Sequence, residues 1–202
     1  MIKILGISAS PRHQATEFAV KKALSKAETY PGIVTEFISF RGKKINPCIH
    51  CDYCIKKKTN CFRKDDMNEL LEKFVQADGY IIGSPVYSYN PVPELIMFFN
   101  RMRPWRVAFP HESMEGKVGG AIAVGGTRNG GQELTINSII NLYLSREIMV
   151  VGGSTGNYTG GKVWTNNKDS AGAEEDEIGI VSSEDIGARV AKALLLIKGE
   201  RK

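Results

Sequence analysis

The sequence predicts an α/β protein built on a doubly wound parallel sheet. Two observations carry that expectation. Short apolar, β-branched runs alternate with stretches of helical apolar spacing along most of the chain. Hydroxyl-, glycine- and proline-rich segments also follow the first, third and fourth of those runs, at the ends of the expected strands.

Residues 2–7 read as a buried first strand. Residues 16–28 read as a helix, with Phe18, Ala19, Ala23 and Leu24 at helical spacing after a Ser/Pro-rich turn. Pro31 and Gly32 turn the chain into a second strand, 33–40. Asp65 or Asp66 is expected to cap a helix running to Gln76, with Leu70, Leu71, Phe74 and Val75 inward. A third strand covers 79–84. The helix at 93–102 starts on Pro93, which suits a first turn, and turns Leu95, Ile96, Phe98 and Phe99 inward. Then come a strand at 117–124, a helix at 133–144 and a strand at 148–151. A last helix spans 183–197, capped by Ser182 or Ser183, with Ile186, Val190, Leu194 and Ile197 inward. Five strands and five helices in strict alternation imply a flavodoxin-like sheet of order 2-1-3-4-5 in a single domain, 1–202. Residues 152–182 break the rhythm, with five early glycines and an acidic patch at 174–177. That segment is expected to be a long loop packing on a sister subunit or on the surface.

Residues 44–64 form the other departure, an insertion after the second strand. It holds all four cysteines of the chain, Cys48, Cys51, Cys54 and Cys61, spaced C-x2-C-x2-C-x6-C. No apolar run of membrane-spanning length occurs, and the N-terminus reads as a strand rather than a secretory leader. A cytoplasmic protein with no membrane partner is therefore expected. A reducing compartment favours metal or redox use of clustered cysteines over a disulfide staple. Zinc sites with four cysteines usually draw on two separated knuckles. Three cysteines within seven residues instead match the C-x2-C-x2-C run of ferredoxins, although Phe62 follows Cys61 where ferredoxins have proline. Iron–sulfur, zinc and thiol chemistry all remain open on spacing alone.

Charge bears on the choice. The chain carries net +5, yet residues 41–64 hold eight basic residues against one acid, so the rest of the chain is slightly acidic. The basic segment fits a solvated lysine face, a nucleic-acid surface or compensation for an anionic cluster. His50 is expected beside the ligands rather than among them. Lys56, Lys57 and Lys58 form a basic knob suited to an acidic protein carrier.

The three strand-end segments converge on one ligand. Ser8, Ser10, Arg12, Gln14, Ala15 and Thr16 lie where the first strand turns into a helix, whose free N–H groups favour an anion. Neither GxGxxG nor GxxxxGK[ST] is present, which argues against dinucleotide and nucleoside-triphosphate loops and favours a phosphate monoester. Pro85, Val86, Tyr87, Ser88 and Tyr89 can line a flat ring system. Gly125, Gly126, Thr127, Arg128, Asn129, Gly130 and Gln132 let backbone approach it closely. FMN satisfies all three. No Ser/His/Asp or Cys/His nucleophile is evident, so no catalytic side chain is assigned.

These segments, with Glu94, resemble the NAD(P)H-dependent FMN reductase superfamily. The added cysteine spacing resembles its archaeal iron–sulfur flavoproteins. The resemblance runs from residue 1 to about 150, and one departure is Ala15-Thr16 where many relatives have Asn-Thr. It implies FMN at the three loops and a [4Fe-4S] cluster on the four cysteines. It also implies a homodimer or homotetramer that exchanges electrons with a ferredoxin-like carrier. The alternative is an FMN or quinone reductase with a structural zinc loop.

Overall fold

The computed structural model describes residues 1–199. The strands are β1 (Ile2–Ser8), β2 (Ile33–Ser39), β3 (Gly79–Pro85), β4 (Val118–Gly125), β5 (Met149–Val150) and β6 (Gly161–Trp164). The helices are α1 (Ala15–Glu28), α2 (Tyr53–Lys57), α3 (Met67–Gln76), α4 (Pro93–Arg101), α5 (Trp105–Ala108), α6 (Gln132–Leu144), α7 (Asp169–Glu175) and α8 (Glu177–Gly199).

All strand pairs are parallel, in the order β2-β1-β3-β4-β5. The flavodoxin-like topology is present, with one addition. β5 pairs with Val118 and Gly119 at the start of β4, whereas β6 pairs with Ile122 through Gly125 at its end. Two short strands thus share the edge position that one strand was expected to fill. The chain leaves the sheet after Val151 and returns at Gly161. Asp185 on α8 holds this excursion, accepting hydrogen bonds from Ser154 N, Ser154 Oγ and Asn157 Nδ2. Burial alone would raise the Asp185 carboxyl; those bonds outweigh it and hold the group below its ordinary range.

Side-chain alternation divides the core in two. Leu5, Ile7, Tyr80, Ile82, Ala121 and Ala123 face α3, α4 and α6. Ile4, Ile81, Ile122 and Val124 face α1 and α8. The first face is aromatic: Phe74 stacks on Tyr80 at 4.0 Å, Phe98 and Phe99 meet Phe74 edge-on, and Tyr143 lies near-parallel to Tyr80 and edge-on to Phe99. Each buried phenol has a partner, Tyr80 donating to Phe74 O and Tyr143 to Gly120 O. Ile96 departs from expectation. It is half-buried and, with Met97, lines an exposed apolar groove beside Tyr87.

On the other face α1 and α8 approach closely. A Cβ on Gly187 would lie 1.9 Å from the carbonyl oxygen of Ala23, which is backbone and cannot swing aside. Gly187→Ala should therefore force the helices apart and cost about 1–3 kcal/mol, read as a lower denaturation midpoint. An unchanged midpoint would mean the helix pair is not tightly packed. α8 also starts six residues before the expected Ser183. Ser182 and Ser183 therefore lie inside the helix and donate their hydroxyls to Gly179 O, at 2.8 and 2.9 Å, instead of capping it.

Candidate flavin cradle and cysteine cavity

Three strand ends and a fourth segment enclose a cavity of about 390 Å³. Ser10, Arg12, Gln14, Ala15 and Thr16 form one end, Pro85, Val86 and Tyr87 a wall, and Gly125 and Gly126 the opposite side. Ser10 and Thr16 are buried with their hydroxyls in the turn, and the Ser10 hydroxyl accepts the Arg12 N–H at 3.1 Å. The first N–H groups of α1 open onto this end, where an anion is favoured. Ala15 lines it with no side-chain donor, so at this position only the backbone N–H is available to an anion.

The fourth segment, Thr165, Asn167 and Asp169, is absent from the sequence-based expectation. It follows β6, and Asn166, Asn167 and Asp169 all have positive φ, a tight left-handed turn that asparagine and aspartate tolerate best. Thr165 N donates to Gly125 O, which ties this turn to the glycine loop. Asp169 Oδ1 pairs with Arg12 at 3.1 Å across the anion end. The only sequence signal for this segment is the Asn166-Asn167 pair after the apolar Val163 and Trp164.

Other expected residues stand outside the cavity. Ser8 is fully buried at the end of β1, its hydroxyl without a partner. Ser88 and Tyr89 form the positive-φ tip of a hairpin closed by Tyr87 and Asn90, and the Tyr89 ring lies over Gly131. A Cβ at Gly131 would meet that ring at 2.3 Å, in a backbone already at φ +104°. Gln132 is buried and braces the glycine loop: its amide donates to Thr127 O at 2.6 Å and accepts from Gly130 N at 2.9 Å. Thr127 and Gly130 therefore shape the loop without lining the cavity. Arg128 and Asn129 turn to a second, smaller cavity behind it. There Arg128 stacks on Trp164 at 4.5 Å and pairs with Asp176 at 3.3 Å.

The cysteine loop is closed by charge rather than by sulfur. All four thiols are free. Lys44 N donates to Asp66 at 2.6 Å, and Asn46 donates to Asp65 through its backbone at 3.0 Å and its amide at 2.9 Å. Asp65, rather than Asp66, reaches the free Met67 N–H at the start of α3. Arg101, at the end of α4, grips Asp65 in a two-pronged pair at 2.8 and 3.1 Å. Burial pushes the Asp65 carboxyl up, but Arg101 and Asn46 outweigh it and hold the group well below the usual carboxylate range.

Within the loop, His50 and Asp52 take positive φ, which reverses the chain between successive cysteines, and Asp52 pairs with Arg103. The His50 N–H points at the Cys48 sulfur, 3.4 Å away. Cys48, Cys51, Cys54 and Cys61 line one small cavity with Arg101, Arg103 and the edge-packed rings of Tyr53 and Phe62. Among the described residues, no three His, Cys, Asp or Glu side chains converge closely enough to hold a single metal ion. No helix among them is long and apolar enough to cross a membrane.

An anion turn, an apolar wall and a close-approach glycine loop at the carboxyl edge of a 2-1-3-4-5 sheet define a flavodoxin-like flavoprotein. Residues 2–159 match the NADPH-dependent FMN reductase family. An iron-sulfur flavoprotein of Methanocaldococcus jannaschii is 45% identical over 89% of this chain and 90% of its own length. One from Archaeoglobus fulgidus is 44% identical over 97% of this chain and 99% of its own length. Among solved structures, RosB with a bound riboflavin-5'-phosphate intermediate superposes at a TM-score of 0.76, with 15% identity over 100% of this chain and 82% of that one. A WrbA-like flavodoxin from Agrobacterium tumefaciens gives 0.62, with 16% identity over 96% and 97%. These two show the fold. The chain belongs to the iron–sulfur flavoproteins of the NADPH-dependent FMN reductase family. It is a flavin-dependent oxidoreductase of the electron-transfer kind.

Proposed function

We propose that this protein couples single-electron transfer at a [4Fe-4S] cluster, held by Cys48, Cys51, Cys54 and Cys61, to FMN in the cavity at the sheet edge. The observation that carries the reading is the gathering of all four cysteines around one cavity beside two arginines. A tetrahedral zinc draws its sulfurs to about 2.3 Å from one point, whereas among the described residues no three of these thiols converge as ligands of a single ion would, although all four line one cavity. The His50 N–H and the two guanidinium groups offer hydrogen bonds and positive charge to sulfur.

When bound, FMN supplies one- and two-electron chemistry and the cluster single-electron chemistry. The chain's own residues bind and position. Ser10, Thr16, Arg12 and the first N–H groups of α1 hold the phosphate; Pro85, Val86 and Tyr87 flank the ring; Gly125 and Gly126 bring backbone to its edge. Arg12→Ala should weaken FMN binding about tenfold, the loss of one charge-assisted hydrogen bond. Fluorescence titration of apoprotein with FMN reads this directly, and unchanged affinity removes Arg12 from the phosphate site.

The two centres belong to opposite ends of α4, which starts beyond the Tyr87 hairpin and ends on the cysteine loop. Nine residues of helix span about 13 Å. A homodimer or homotetramer that sets one subunit's cysteine loop against another's flavin shortens that path. The exposed apolar groove of Tyr87, Pro91, Ile96 and Met97 beside the cradle suits such a contact. Lys56, Lys57 and Lys58 are exposed beside the cysteines and would steer an acidic, ferredoxin-like carrier, with an on-rate that falls as salt rises. A carrier accounts for the basic loop and the cradle together, which a nucleic-acid partner does not.

Anaerobic reductive titration tests the coupling. The protein should take up about three electrons per chain, two at the flavin and one at the cluster. Uptake of about two would favour the zinc-loop reductase. A monomeric mass in solution would count against the intersubunit path.

A further inference from the structure

Arg101 lies beneath the cysteine loop with a side chain that is 2% exposed, against an Asp65 carboxylate that is wholly buried. Its terminal nitrogens are engaged: Nη1 donates to Asn46 O and Asp65 Oδ2, both at 2.8 Å, and Nη2 to Asp65 Oδ1 at 3.1 Å. Its Nε–H is equally buried and donates to nothing. An orphaned donor on a buried cation is costly in a folded protein and calls for an acceptor.

The acceptor is indicated by what shares the cavity. Arg101 lines it together with all four cysteines. Burial depresses the basicity of the guanidinium, but its bond to Asp65 outweighs this and raises it on balance. Arg103 also lines the cavity, but it is 29% exposed and paired with the part-exposed Asp52. Sulfur that gains negative charge on reduction is stabilised by a fixed cation and by an N–H donor, and both raise its potential.

We infer that Arg101, locked in place by Asp65, directs its Nε–H at the sulfur of the cluster and sets its reduction potential above that of a cluster without this donor. The inference rests on the cluster reading given above. Asp65 is the positioning residue: it fixes the guanidinium fork and leaves the Nε–H, with the second Nη2 hydrogen, free to face the cysteines.

The test is an anaerobic redox titration of the whole protein, followed by the electron paramagnetic resonance of the reduced cluster. Two variants accompany the wild type. Arg101→Lys keeps the cation opposite Asp65 and removes the Nε–H. Arg101→Gln with Asp65→Asn removes both charges, so that no buried ion is stranded, and circular dichroism checks that it folds. Both should titrate at lower potential than wild type with iron, sulfide and flavin unchanged, and the double variant should shift further. A full cluster at the wild-type potential in either variant overturns the role of Arg101. Wild-type protein that holds flavin but neither iron nor sulfide overturns the cluster reading, and this inference with it.

Discussion

Cys54→Ala protein purified without oxygen is expected to keep its FMN and to lose its iron and sulfide almost completely. Cys54 is the most buried of the four thiols, set on α2 where its carbonyl accepts the Thr59 N–H at 3.1 Å. Burial pushes this thiol up, with Cys61 adding to the rise and Arg103 opposing it. An isolated thiol so placed would be inert; four lining one cavity are the proposed ligand set. Its removal takes away one of the four proposed ligands, and the adjacent Asp52 is committed to Arg103. The flavin cradle is built from other segments and should be untouched. Full iron content in Cys54→Ala would remove this residue from the ligand set.

Asp65→Asn has the largest expected effect on stability, about 3–5 kcal/mol. The substitution strands the Arg101 cation in a site with no solvent access and loosens both ends of the cysteine loop at once. For a chain of this length that is a melting temperature lower by about 10 °C. The pH dependence has a definite sign. The folded-state pKa of Asp65 lies below its unfolded value, so its contribution is complete above about pH 4 and is lost as pH falls through the folded value. The gap between wild type and Asp65→Asn should therefore be constant from pH 5 to 8, on the order of a few kcal/mol, and close on acidification. Differential scanning calorimetry across that range reads it. A gap of less than about 1 kcal/mol would reduce this pair to the worth of a surface ion pair.

What the sequence disclosed follows from the range of the interactions concerned. Glycines and prolines punctuate locally, so the ends of β1, β3 and β4 were legible, as was the alternation that orders the sheet. β6 was not. Four residues in a glycine-rich stretch carry little periodicity, and they form a strand because Ile122 through Gly125 offer an open edge some forty residues earlier. The Thr165 to Asp169 turn was missed for the same reason, and with it the pairing of Asp169 with Arg12, 157 residues away.

The glycine loop shows the opposite error. Composition marked all of it as lining the ligand, yet Gln132 and Arg128 are drawn off by Thr127 O and by Trp164 and Asp176. Of its members only Gly125 and Gly126 reach the cavity. In the sequence Cys61 stands six residues apart from the other three and lacks the proline of ferredoxins. Folding brings it beside the other three because Asp65 and Asp66 pull the far end of the loop back onto Asn46 and Lys44. Nothing in the cysteine pattern encodes that closure; it depends on Arg101, forty residues downstream.

Four cysteines holding an iron–sulfur cluster in a protein that also holds FMN fix a definite stoichiometry. Quantitation of metal, acid-labile sulfide and flavin on protein kept anaerobic from lysis onward reads that stoichiometry. The expected result is iron and sulfide in equal amounts, about four of each per chain, with about one FMN. About one zinc per chain without sulfide would contradict it.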